Sequence, residues 1–159
     1  MTTHELLKAR LKLARNDLDE LLGHLNQPMM TWAPAAGVRT IAGQLVEIAA
    51  TEMQTVTALT EDRVVTDAEA EEQFGDCVSL VNLTRVLAEV RECTLQVLDS
   101  YSEAELQEYV SVKRAWFATM LLPEAPRAEI FQSIAQHEWY HVGQLVSYLW
   151  IRGDNPYRW

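Results

Sequence analysis

"PRAEIFQSIAQHEWYHVGQLVSYLWI", residues 126 to 151, reads as one long helix. Phe131, Ile134, Val142, Leu145 and Leu149 recur at helical spacing and form an apolar stripe. Glu138 interrupts that stripe. At about 100° per residue, His137 and His141 sit about 40° apart, close enough for their imidazoles to share one metal ion. Gln144 and Tyr148 continue their strip, so one side of the helix is polar for three turns. A polar strip on an otherwise apolar helix either faces solvent or lines a pocket.

Three more helices of similar length complete the pattern. The first runs from Thr3 to Leu25, with Leu6, Leu7, Leu11, Ala14, Leu18, Leu21, Leu22 and Leu25 on one face. It ends in "NQPMMTWAPAAGVR", where prolines and a glycine force a loop. The second starts at Thr40, a suitable N-cap, and continues to Leu59. After the acidic stretch "EDRVVTDAEAEEQFGD" the third runs from Ser79 to Tyr101. The segment "SEAELQEYVSVKRAWFATMLLPEAP" is mixed: Ser102 can cap a short helix, and Pro123 and Pro126 end what precedes them. Four such helices round one core predict an all-α fold, a four-helix bundle occupying residues 1–159 as a single domain. The second connection is long enough for a crossover. Strand content should be negligible.

Composition narrows the function. With 13 basic against 23 acidic residues the formal charge is −10, the wrong sign for phosphate backbones, so no nucleic acid is expected as partner. No window holds the roughly 18 uninterrupted apolar residues of a membrane span. The N-terminus, "MTTHELLKARLKLARNDLDELL", is charged and amphipathic rather than a signal peptide, which predicts a cytoplasmic protein without a membrane partner. Cys77 and Cys93 make neither a CxxC motif nor a disulfide framework, and Cys93 is expected to pack within its helix.

His137, Glu138 and His141 match the H-E-x-x-H signature of zinc proteases. That chemistry needs a third ligand, normally a downstream His or Glu, and only Asp154 is available among the acidic residues that follow. A di-iron bundle needs a second Glu-x-x-His motif, which the chain lacks. A mononuclear site needs one or two further ligands from a facing helix, and the second helix offers Glu47 and Glu52. Glu52 falls within the apolar stripe of Ile41, Leu45, Ile48, Val56 and Leu59. Glu47 lies on the opposite side, among Gly43, Ala50 and Thr51, where small residues permit close approach. A buried carboxylate needs a partner or a proton, so Glu52 and Glu138 are read as paired or pocket-lining. The plainer alternative makes both histidines ordinary hydrogen-bonded residues at the edge of the core.

In this order and spacing the residues resemble a known family, the DinB-like bundle proteins of the DinB/YfiT type. The resemblance rests on Trp32-Ala33-Pro34 leading to a helix start at Thr40-Ile41, and on "EIAATE" from Glu47 to Glu52. It continues with His137, His141, Gly143, Gln144 and Leu145, and with Tyr148, Leu149, Gly153 and Pro156. It implies a four-helix bundle, often a homodimer, in which three histidines bind a divalent metal such as zinc or nickel. Two of them fall on His137 and His141. The first falls on Glu47, and a carboxylate is a legitimate ligand for such ions. The resemblance further implies a metal-dependent enzyme acting on a small molecule, either a thiol-dependent transferase with a low-molecular-weight thiol as co-substrate or a hydrolase. Helical position then suggests Glu52 or Glu138 as proton acceptor, and Gln144, Tyr140 and Tyr148 as substrate contacts. The competing expectation is a non-catalytic, metal-free stress-related or scaffold bundle that works as a homodimer, with Trp139 and Trp150 at a buried interface.

Overall fold

A computed structural model describes residues 1–74, 77–113 and 122–159, apart from the side chains at 71 and 157. Helix α1 spans Thr3–Leu22 and opens with a reciprocal capping box between Thr2 and Glu5. It stops short of the expected Leu25 because the chain tightens there: the amides of His24 and Leu25 bond back only three residues, to Leu21 and Leu22. A short 3-10 turn, Gln27–Met29, follows. Helix α2 spans Ile41–Glu61, capped by the Thr40 hydroxyl, which accepts from the Gly43 amide at 3.0 Å, and it ends at Asp62 in the left-handed region. Helix α4, Leu80–Ser100, starts at Ser79, and α5, Glu103–Leu106, starts at the capping box of Ser102 and Glu105. The last helix, α6, spans Arg127–Ile151.

Three short elements add to the sequence reading. Asp67–Phe74 forms helix α3, and its start was visible as a capping box, since Thr66 and Glu69 satisfy each other's amides. Two three-residue strands, β1 at Tyr109–Ser111 and β2 at Glu124–Pro126, pair antiparallel with Val110 opposite Ala125. The stretch 114–121 of the mixed segment lies outside the described residues. Cys93 is corrected as well: it lies on the outer face of α4 and is exposed.

Cross-helix pairs fix the topology. Arg15 meets Glu138 and Asp17 meets Trp139, so α1 and α6 run in the same direction. Arg91 meets the Leu11 carbonyl and Arg15 the Leu87 carbonyl, so α4 runs against α1. Gln44 meets Tyr148 while Leu59 packs near Ile130, so α2 runs against α6. The order of directions is up, down, down, up. The connection from α2 to α4 must therefore return along the bundle, and α3 lies in it, the expected crossover. Packing runs α1 to α6, α6 to α2 and α2 to α4, while α1 and α4 touch more lightly than these neighbours.

The core is divided. One apolar half gathers Leu18, Leu21, Leu45, Ile48, Leu87 and Leu145, and the other gathers Leu7, Leu11, Val56, Leu98, Phe131 and Ile134. Between them lies a layer of four charges, one from each long helix. Arg15 of α1 donates from Nε to Glu138 of α6 at 2.6 Å and reaches Glu52 of α2 at 3.3 Å. Arg91 of α4 donates from Nε to Glu52 at 2.7 Å and from Nη2 to both carboxylates. Thr94 adds a hydroxyl to Glu52 at 2.7 Å. Glu52 and Glu138 are 2% and 1% exposed. Burial alone would push the Arg91 guanidinium's pKa down, but the two glutamates outweigh it and hold it above its ordinary value.

Removing one member leaves its partner charged and buried, which costs about 3–5 kcal/mol. Urea denaturation of Arg91→Met should show a loss of about that size. Replacing all four together (Arg15→Met, Glu52→Leu, Arg91→Met, Glu138→Leu) should recover most of it, because no lone charge is then buried. A loss below about 1 kcal/mol for the single variant would mean that the layer relaxes into water.

Candidate metal centre

His137 and His141 lie one turn apart on α6, both buried, with their Nε2 atoms 3.0 Å from each other. Because α2 packs along α6, its Glu47 projects into the same place. One ligand atom from each of Glu47, His137 and His141 lies within 4.8 Å of the other two. Neighbouring ligands round one ion at about 2.0–2.2 Å are separated by roughly 3–3.5 Å, so the two nitrogens already stand at a ligand spacing. Two imidazoles and a carboxylate are a donor set that zinc, nickel, manganese or iron accepts. The residues fit the group that the resemblance implies.

The surroundings orient these donors. Arg39, in the loop before α2, pairs with Glu47 Oε2 at 3.1 Å and holds the half-buried carboxylate at the rim. His141 Nδ1 bonds the side-chain oxygen of Gln44, a buried residue on the first turn of α2. Gln44 donates from Nε2 to the Tyr148 hydroxyl at 3.0 Å, and Tyr148 donates to the Arg39 carbonyl at 3.1 Å. The His141 ring is pushed down to a pKa of about 4, first by burial and then by the positive Arg39, with the Gln144 side chain offsetting a part. A neutral imidazole is the form that binds a metal.

Both candidate carboxylates of α2 are used, in different places. Glu47 stands beside the histidines, and Glu52 is in the charged layer with Glu138. The proton acceptors suggested by helical position, Glu52 and Glu138, thus have their oxygens engaged by Arg15 and Arg91. Of the suggested substrate contacts, Tyr140 is 62% exposed and meets His141 edge-on, at 5.2 Å between ring centroids. The Gln144 side-chain oxygen is buried, with no hydrogen bond of full geometry among the described residues. Tyr148 is buried and bonded to Gln44 and the Arg39 carbonyl. Trp139, suggested for an interface, donates to Asp17 within the chain at 2.7 Å, while Trp150 stays partly exposed. Sequence reasoning missed Gln44, Arg39, Arg15 and Arg91. Arg91 had left a signal, because it falls on the stripe of Leu83, Leu87, Thr94 and Leu98 that α4 buries. Gln44 had left a weaker one, a polar residue beside Leu45 at the apolar start of α2.

Compared with known proteins, residues 10–145 match the sequence profile of the DinB superfamily, a span from within α1 to the turn of α6 after His141. No curated protein matches the chain.

The depressed His141 value has a consequence for the metal-free protein. Between its folded value of about 4 and the ordinary 6.5, the unfolded chain binds more protons than the folded one. Stability associated with the neutral ring is therefore complete above the ordinary value and falls as pH drops towards the folded one. Thermal melts across that window should show the decline, and His141→Gln should flatten it. Equal slopes in the two proteins would show that His141 stays solvated.

Proposed function

The chain belongs to the DinB superfamily, and from that premise we propose that it is a metal-dependent enzyme whose Glu47, His137 and His141 hold a divalent ion, zinc or nickel before others. The convergence of their ligand atoms within 4.8 Å, from two helices, carries the reading. A divalent ion there supplies Lewis acidity, which lowers the pKa of a bound thiol or water and makes it a nucleophile near neutral pH. The reaction class is transfer of a low-molecular-weight thiol, or hydrolysis, on a small-molecule substrate.

The chain's own groups take the remaining roles. Arg39 holds Glu47 in place and sets a positive charge at the rim, where an anionic part of a substrate would meet it. Tyr140, exposed beside His141, and Gln144, whose buried oxygen meets no partner among the described residues, are the substrate contacts. Tyr148 serves through Gln44 rather than by touching substrate. Glu52 and Glu138 are assigned to the bundle, since their oxygens are taken up by Arg15 and Arg91. No helix among the described residues is long and apolar enough to cross a membrane. The free Cys77 and Cys93 suit the reducing cytoplasm, which we take as the place of action.

One observation bears on assembly. Tyr140 and Ile151, 62% and 65% exposed, lie on nearly the same bearing of α6. That strip is the face we assign to a homodimer, which serves an enzyme or a non-catalytic scaffold equally well. Light scattering tests it: a two-chain mass reduced to one chain in Tyr140→Lys with Ile151→Lys supports the face, and an unchanged mass removes it.

Elemental analysis tests the metal. Protein purified without a histidine tag and dialysed against zinc, nickel or manganese should retain about one ion per chain. His137→Ala, His141→Ala and Glu47→Ala should each lose it. Retention in all three would move the ion elsewhere, and no metal in the parent protein would favour the scaffold. Thiol transfer to a small electrophile and ester hydrolysis, compared in loaded and stripped protein, then separate the two reaction types.

A further inference from the structure

We propose that the Arg39 carbonyl, the Tyr148 hydroxyl and the Gln44 amide form a one-way hydrogen-bond chain that fixes His141 as its Nδ1–H tautomer and turns its Nε2 lone pair towards His137. The direction follows from the first link. A backbone carbonyl can only accept, so the Tyr148 hydroxyl must spend its single proton on the Arg39 oxygen, 3.1 Å away. Towards Gln44 the same hydroxyl can then only accept, and it takes the Nε2–H at 3.0 Å. This fixes which end of the Gln44 amide points where, leaving its oxygen against His141 Nδ1. An oxygen there demands a hydrogen on Nδ1. The neutral His141 ring then carries none on Nε2, which becomes an acceptor 3.0 Å from His137 Nε2. In the metal-free protein His137 must fill that contact with its own Nε2–H. The two histidines thus hold opposite tautomers. Tyr148 and Gln44 are positioning residues, acting on the proposed metal centre only through His141.

The value of the chain to function rests on the metal reading, but the tautomers do not. Nitrogen–proton correlation spectra of the metal-free protein at pH 7.5 report them directly, in a chain with only four histidines. His141 should appear as Nδ1–H and His137 as Nε2–H. Tyr148→Phe deletes one hydroxyl and frees the Gln44 amide to turn, so His141 should become a mixture of both tautomers. Gln44→Glu keeps an acceptor at Nδ1 and should preserve Nδ1–H, whereas Gln44→Met should lose it. Zinc affinity, measured by competition with a chelating dye, should drop about 10–100-fold in Gln44→Met and recover in Gln44→Glu. An Nε2–H His141 in the parent protein, or an unaltered tautomer in Tyr148→Phe, would overturn the chain, and neither result needs bound metal. Correct tautomers in a protein that takes up no zinc would uphold the chain while removing the metal centre it was assigned to serve.

Discussion

The structure depends on one buried layer of four charges. Each long helix contributes one: Arg15, Glu52, Arg91 and Glu138. Their sum is zero, and each guanidinium spans the two carboxylates, so no charge is left to face the apolar halves above and below. Such a layer adds little net stability, because desolvation offsets most of the attraction. What it imposes is registry. A slide of one helix by a single turn, about 5.4 Å, would strand one charge among leucines. Apolar stripes alone are permissive in that respect, since leucine packs nearly as well one turn along.

Registry matters because the candidate metal centre is assembled from two helices. Glu138 in the layer is the immediate neighbour of His137, and Glu52 lies little more than one turn beyond Glu47 on α2. Pinning Glu52 and Glu138 to the same arginines therefore sets how α2 and α6 stand against each other. Glu47 meets the histidines only in that alignment. The Gln44–Tyr148 chain acts over the next turns of the same two helices and orients one imidazole in finer detail. A central ionic layer and a flanking hydrogen-bond chain thus act on one site from opposite sides.

A second group of contacts closes the far end of the bundle. Glu103, just after α4, accepts from the amides of Thr3 and His4 and so caps α1 from outside. The His4 ring sits between Glu103 and the Leu98 carbonyl, two acceptors, and its pKa is raised, mainly through the Glu103 hydrogen bond. Glu103 is in turn held down to about 2 by the His4 amide and ring. These ties secure the end where α1 and α4, which otherwise touch only lightly, come together.

The sequence by itself determined the four long helices, the caps at Thr40 and Ser102 and the room for a crossover. Each is a local property: stripes at helical spacing, capping residues at Thr40 and Ser102, and a connection too long for a tight turn. It also placed His137 and His141 together, because a separation of four residues on one helix is geometry that no neighbour can alter. Only the tertiary structure showed what surrounds Glu47 and what surrounds Glu52. Helical bearing shows which side of α2 a carboxylate leaves from, not what waits there, and one side held arginines from α1 and α4 while the other held histidines from α6. Arg15, Arg91 and Gln44 were obscure for the same reason. A polar residue near an apolar stripe is ambiguous until its partner, some 37 to 123 residues away, is placed against it. Spacing along one helix is written in the chain, whereas partnership between helices arises when burial leaves a polar group only one way to be satisfied.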